Sequence, residues 1–342
     1  MSKVQPLLEK QTTWMRKPIS AGEYLAVTLR FLATGETYAS LEYQFRISKS
    51  TLSIMVPHVC NLICQVLQND YLSCPSTEDE WLWVSDQFCD KWQFPNCIGA
   101  GDGKHIRLRA PGHSGTEYFN YKGFYSLVLM AFVGPNYEFL FIDVGCQGSL
   151  SDGGIFRRTQ LCEKRENKAL YIPGEKALPQ NADPIFEDTC NVKVDHYFVC
   201  DDAFSLDRHI MKPYAKRQLT DEQRIFNYRL SRARRISENA FGILAVRFRV
   251  LYSMLCIAPE RATSVVLACC ALHNMLLKKS AGTYAPTGTS DNDSEGHFVP
   301  GSSKERYSSN AKDMRDFLCT YVNGAGSVPW QWKVLVAPSK TQ

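Results

Sequence analysis

The sequence predicts an α/β protein whose sheet is preceded by a small all-helical unit, and three observations carry that prediction. Two apolar runs of strand length, Tyr125–Val133 and Tyr137–Val144, flank the turn Gly134-Pro135-Asn136, and a third, His196–Cys200, lies downstream. A long helical pattern, Arg224–Val250, follows the last of them, with Phe226, Leu230, Ala233, Ala240, Phe241 and Leu244 broadly on one side. Ahead of all these strands, residues 20–69 carry helical periodicity only. At 342 residues with 44% apolar and 12% aromatic content, the chain can bury one large core and a smaller satellite.

Taken in order, residues 1–19 carry no period and are expected to be a flexible arm. They lack the apolar core of a signal peptide, and the sequence has no run of eighteen apolar residues, so secretion and membrane insertion are not expected. A helix begins at Ser20, through Leu25, Leu29 and Leu32, and stops at Thr34-Gly35. A second runs through Tyr38, Leu41 and Phe45. Ser48 then caps a third, with Leu52, Met55 and Val56 on one side and Lys49, Ser50, Thr51 and Ser53 on the other. Residues 20–69 thus have the layout of a helix-turn-helix domain, with Lys49 and Ser50 placed to meet DNA, although helical hairpins of this form also occur without DNA. Pro57 should end or kink the third helix. Residues 70–95 read as an acidic and aromatic connector: Asp70–Asp90 holds six acidic residues and no Lys or Arg.

The main domain, residues 96–279, opens with NCIGAGDGKHIRLRAP, Asn96–Pro111, where Ile106 and Leu108 alternate with Arg107 and Arg109 as in a half-buried strand. Asp102 lies between Gly101 and Gly103, which leave the backbone uncovered for a ligand or metal; a turn Asp capping the strand is the plain alternative. After the hairpin, Ser151-Asp152 can cap a helix through Ile155 and Phe156, and residues 163–190 are polar and irregular. The strand His196–Cys200 ends directly in Asp201-Asp202, and Thr263–Leu277 is an apolar helix. Residues 280–312, rich in Gly, Ser, Thr, Asp and Asn, read as a disordered loop, and residues 313–342, with Trp330 and Trp332, as a tail that docks back.

The formal charge of +4 is unevenly spread. Phe204–Val250 holds eleven Lys/Arg against four Asp/Glu, a balance of +7 that leaves −3 for the rest, so this stretch is a candidate phosphate-facing surface. A solvated helix face is the alternative. The thirteen cysteines include no CxxC pair and read as reduced. Cys60 and Cys64 share a helix face, but without a second Cys/His pair at ligand spacing a zinc site is not expected.

The element order strand, strand, strand, helix, strand, helices is that of a ribonuclease-H-like α/β fold. In it the first and fourth strands are neighbours, so Asp102 and Asp201 would lie side by side, and a helix across the sheet could bring in Glu238. Converging carboxylates repel one another unless a cation neutralises them, and an all-oxygen donor set suits Mg²⁺ or Mn²⁺ rather than zinc. Two such ions about 3.5–4 Å apart would serve phosphodiester cleavage. Simpler roles stand beside these: an i,i+4 ion pair with Arg234 for Glu238, and an N-cap for Asp201, with Asp202 its rival. His105 could contact phosphate or orient a ligand, or could pack in the core. Asp152 reads as an N-cap before a metal ligand.

The segments LRFLATGETYASLEYQFRISKSTLSIMV, FPNCIGAGDGKHI, DVGCQGSLSDGGIF, CDDAFSLDRHIMKPY and NYRLSRARRISENAFGILAVRFRVL together resemble the PIF/Harbinger transposases and the Harbinger transposase-derived nucleases. The likeness covers roughly residues 20–277. It implies a metal-dependent DNA endonuclease with Asp102, Asp201 and Glu238 as the catalytic, metal-holding triad. Arg229, Arg232, Arg234 and Arg235 could clamp phosphates beside it. It further implies a Myb-like DNA-binding partner that helps nuclear entry, with cytoplasmic residence in the partner's absence; a homo-oligomer is also conceivable. Two rival functions remain: a domesticated, non-cleaving nuclear DNA-binding or adaptor protein, and a ribonuclease acting on hybrids.

Overall fold

Ser20, Thr37 and Ser48 each cap a helix through a side-chain oxygen that accepts a backbone N–H three residues on, and Ser20 closes a capping box with Glu23. In the computed structural model, which describes residues 4–8, 18–179, 192–215, 218–284 and 309–336, these caps open α2 (Ala21–Thr34), α3 (Tyr38–Phe45) and α4 (Lys49–Tyr71). Gly35, at φ +69°, ends α2 in the left-handed region where glycine is free to go. Residues 4–8, expected as part of a loose arm, include the short helix α1 (Gln5–Leu8), with Val4 and Leu8 buried. Most of 1–19 lies outside the described residues.

Packing against the rest of the chain shapes the helical unit. Pro57, expected to end or kink the third helix, does not end α4, which runs 23 residues through it. The proline has no N–H to give Ser53, four residues back, and the orphaned Ser53 carbonyl instead accepts from Arg261 Nη1 at 3.1 Å. Arg261 belongs to α9 (Pro259–Tyr284), the helix against which α4 lies. The unit also has no core of its own: Val27, Leu41, Val56 and Ile63 belong to the same apolar cluster as the sheet and α9. By length and composition α4 is apolar enough to cross a membrane, and half of that stretch is buried within the protein.

The acidic stretch expected as a connector is a helix, α5 (Glu78–Trp92), capped by Thr77, with three acidic residues in a first turn that favours negative charge. Its Trp81 is fully buried, donates to the Leu170 carbonyl at 2.7 Å and stands edge-on to Phe198.

The sheet consists of β1 (Cys97–Arg107), β2 (Ser126–Val133), β3 (Phe139–Gln147), β6 (Tyr197–Val199) and β7 (Ile210–Met211) in the order β3-β2-β1-β6-β7; β4 (Lys176–Ala177) and β5 (Lys193–Val194) form a separate ribbon. β1, β2 and β3 are antiparallel, whereas β6 runs parallel to β1 and β7 parallel to β6. β2 is buried at every position, which its unbroken apolar run requires. Alternation then sorts the aromatics. Phe132 and Phe198 meet Trp81 of α5, Phe156 of α6 (Asp152–Phe156) and Phe204 on one face. Phe139 and Tyr197 face the other, where Phe226 and Phe241 of α8 (Asp221–Arg247) and His273 of α9 pack. Asn274 ties β3 to the helical unit: it exchanges hydrogen bonds with the Phe139 backbone and donates to the Tyr71 carbonyl.

Within 163–190 the structure has α7 (Gln160–Glu166) and β4; residues 180–191 lie outside the described residues. Of the loop expected over 280–312, residues 285–308 also lie outside them, while its two ends belong to α9 and α10 (Ser309–Asn323). The tail docks as expected: α10 and α11 (Lys333–Val336) pack on α8.

Candidate metal centre

Register builds the centre. Ala100 of β1 pairs with Val199 of β6, so two residues further along each strand Asp102 and Asp201 come together at the sheet's C-terminal edge. A third carboxylate joins them from α6. One oxygen from each of Asp102, Asp152 and Asp201 lies within 4.8 Å of the others, the one such acid, Cys or His cluster among the described residues.

Asp152 reaches that position because two glycines leave room. A Cβ at Gly103 would stand 2.1 Å from Asp152 Oδ1, and one at Gly153 would stand 2.4 Å from the Ala203 carbonyl oxygen, so α6 can close on β1 and on the 201–204 turn only without those side chains. The space at Gly103, expected to admit a ligand, is filled by a carboxylate of the chain itself. The N-cap role expected of Asp152 belongs to Ser151, whose Oγ accepts from Gly154 N.

The three groups are held against their own charge. Burial pushes the Asp102 carboxyl up to about 6; the Arg234 guanidinium opposes that shift, and Asp201 and Glu238 add to it. Burial, then the charges of Asp102 and Asp201, raises Asp152 to about 7. Asp201 is raised by burial as well, although Arg234 and its bond from Ala203 N at 2.9 Å resist it. A buried, all-oxygen cluster destabilised by its own charge fits a hard divalent cation.

Glu238 stands apart from the cluster. Its side chain is 40% exposed and binds Arg234 Nη2 at 2.5 Å, while Arg234 Nη1 lies 3.5 Å from Asp102 Oδ2. The i,i+4 pair with Arg234 that competed with the metal role therefore exists, and its guanidinium links Glu238 to the centre. Asp202 is no rival to Asp201: it pairs with the buried Lys212 at 3.3 Å. His105 packs edge-on to Tyr121 and Phe124 and shares a 2.9 Å hydrogen bond with Ser126; burial pushes it down to about 4, so it is neutral at pH 7.

The expected phosphate clamp divides. Arg229 is withdrawn from solvent, 2% exposed, and bonds to the Gly326 carbonyl, Gln331 Oε1 and the Gln93 carbonyl, so it braces the tail rather than facing DNA. Arg232 stacks 4.0 Å over Trp330. Arg234 belongs to the centre, and Arg235 is half-buried. Lys49 and Ser50 are exposed at the start of α4. Cys269 and Cys270 of α9 lie near enough to Cys60 and Cys64 of α4 for their charges to interact. Burial raises all four thiols.

Asp152 is the residue that sequence reasoning undervalued. The signal was the pairing of a glycine with each acid, Asp102-Gly103 and Asp152-Gly153, each leaving space for a close approach.

Residues 101–274 match a family described as DDE superfamily endonuclease. Among curated proteins, the chain is 28% identical over 263 residues to Protein ALP1-like of Arabidopsis thaliana, covering 76% of this chain and 61% of that protein. It is 24% identical to the plant protein named Antagonist of Like Heterochromatin Protein 1, over 76% of this chain and 63% of that one. The protein of Rattus norvegicus named Putative nuclease HARBI1 is 23% identical, over 78% and 70% of the two chains. The chain thus spans less than two thirds of the two plant relatives. No solved structure matches.

Proposed function

Because the chain belongs to the DDE superfamily endonucleases, in their Harbinger transposase-derived branch, we propose that it is a divalent-metal-dependent DNA endonuclease on a ribonuclease-H-like core. The observation that carries this reading is the convergence of Asp102, Asp152 and Asp201, held together although each is pushed toward its neutral form. Asp102, Asp152 and Asp201 would hold Mg²⁺ or Mn²⁺. When bound, the cation would act as a Lewis acid that activates a nucleophilic oxygen and stabilises the leaving oxygen of a phosphodiester. Asp102, shared between the cluster and Arg234, positions the centre against α8. Arg234 offsets the cluster's charge and can donate to a phosphate oxygen in place of a carboxylate. Glu238 can serve a second cation once Arg234 lets it go.

DNA as substrate, a Myb-like protein as the source of sequence-specific binding, and residence in the nucleus belong to the same proposal; the family likeness supports them. A non-cleaving DNA-binding or adaptor role is the second reading. It is favoured by Arg234, a built-in cation that occupies Glu238, and by a relative named for antagonism of a heterochromatin protein rather than for cleavage.

Thermal unfolding in Mn²⁺ tests the centre. Saturation at a hundred times Kd would add about 2.7 kcal/mol to a protein that binds only when folded. The wild type is expected to gain a shift that Asp102→Asn, Asp152→Asn and Gly103→Ala lose, and to nick supercoiled DNA in Mn²⁺. Equal shifts in all four proteins would disprove the assignment of ligands. A shift without nicking would leave the adaptor role.

A further inference from the structure

The loop that joins β1 to β2 holds an aromatic ring and a cation out in solvent, on the sheet face that also carries Asp152. Asn120, 2% exposed, builds it: its Oδ1 accepts from Lys122 N at 2.9 Å and Phe124 N at 3.3 Å, and its Nδ2 donates to Ser126 Oγ at 2.8 Å. Two backbone bonds, from Asn120 N to the Phe124 carbonyl and from Gly123 N to the Asn120 carbonyl, close the turn. Gly123 supplies the φ of +81° that the turn needs. From this scaffold Tyr121 projects with 68% of its surface exposed and its ring edge-on to His105 at 5.7 Å. Lys122 Nζ lies 5.4 Å from that ring, and the exposed Arg107 sits 4.5 Å over Phe124.

His105 is two residues from Gly103 on the same strand face, and the place of a Gly103 side chain is taken by Asp152. The ring and the cations therefore stand next to the carboxylates, and Lys122 is near enough to favour the charged form of Asp152. Exposed tyrosine on a turn fixed by buried hydrogen bonds has little freedom to lose on stacking. Every nucleobase offers a face to such a ring, and cations beside it complement a phosphate backbone.

We infer that Tyr121 is a stacking platform for an unpaired nucleobase beside the scissile phosphate, with Lys122 and Arg107 holding the backbone of that same DNA strand. This rests on the endonuclease reading and assigns that site its strand-holding surface.

The test is fluorescence anisotropy with the full chain in Ca²⁺, using a labelled duplex with an unpaired 3′ overhang and a blunt duplex of the same length. Tyr121→Ala should weaken overhang binding about tenfold or more and blunt binding less, and Tyr121→Phe should restore it. Lys122→Ala should lower the salt slope of binding by about one. Tyr121→Ala should keep the wild-type melting temperature and Mn²⁺ shift, and Lys122→Ala should still unfold in one cooperative transition, which separates lost contact from lost fold. If Tyr121→Ala or Lys122→Ala binds both DNAs as the wild type does, or if Tyr121→Phe fails to restore the overhang preference, the platform is refuted while the endonuclease reading stands. If the wild type binds neither DNA, both fall together.

Discussion

At the scale of single residues, the centre is a problem in charge. Asp102, Asp152 and Asp201 are acids whose folded-state carboxyls are raised, so between the ordinary carboxylate range and about pH 7 the folded protein binds more protons than the unfolded chain. Their contribution to stability is present below about pH 4 and is lost as pH rises through about 6 for Asp102 and about 7 for Asp152. Without metal, the melting temperature should therefore fall across this window, and Asp152→Asn should melt higher than the wild type at pH 8 but not at pH 4. Calorimetry at the two pH values in EDTA decides it; a variant less stable at pH 8 would show that Asp152 is satisfied without a cation. Metal affinity should rise over the same window, because protons must leave first. Of these groups, Asp102 and Asp201 were visible in the sequence, one as an acid on the first strand and the other as an acid ending the fourth. Asp152 was not, because an Asp after a Ser at a helix start has the pattern of a cap, and only the missing Cβ of Gly103 turns it inward.

At the scale of elements, α4 shows how a neighbour rescues a helix that its own sequence would break. Pro57 removes one hydrogen bond, and Arg261 of α9 supplies a donor to the carbonyl left over. The bond lies at an exposed edge, so losing it should cost about 1 kcal/mol. Arg261→Met is expected to lower stability by about that amount in the wild type and by little in a Pro57→Ala background, where the alanine's own backbone N–H can donate to the Ser53 carbonyl. Urea unfolding of the four proteins measures the coupling; equal costs in both backgrounds would show that Arg261 acts elsewhere. The helix end that Pro57 offered followed from local helix chemistry alone; the donor that serves the freed carbonyl lies 208 residues away.

At the scale of the whole molecule, the C-terminal tail completes the core behind the centre. Arg229, on the same helix as Arg234, bonds to Gly326, Gln331 and Gln93, so one buried guanidinium joins α5, α8 and the tail. Burial pushes it down to about 10, still charged at pH 7. Gln331→Ala takes one of three acceptors from that buried charge, and a hydrogen bond to a charged group contributes about 1.5–3 kcal/mol, so a loss of about that size is expected from this one contact. Arg229→Met should cost less than Gln331→Ala, since it removes the charge together with its bonds. Denaturant titrations of the two variants test this order, and the reverse would make Arg229 more than a brace. Arg229→Met should also leave DNA affinity and its salt slope unchanged.

The sequence by itself determined the helix starts at Ser20 and Ser48, the buried strand Ser126–Val133, the adjacency of Asp102 and Asp201, and the docking of the tail. Those features are set by local chemistry, by caps, alternation and apolar runs, or by the order of strands. Only the tertiary structure decided that Asp152 joins the carboxylates, that Arg234 reaches Asp102, that Arg229 is buried, and that the N-terminal helices share one core with the sheet. Each of these depends on which segment approaches which across the fold. That is settled by packing between residues far apart in the chain, and no window of sequence contains both partners.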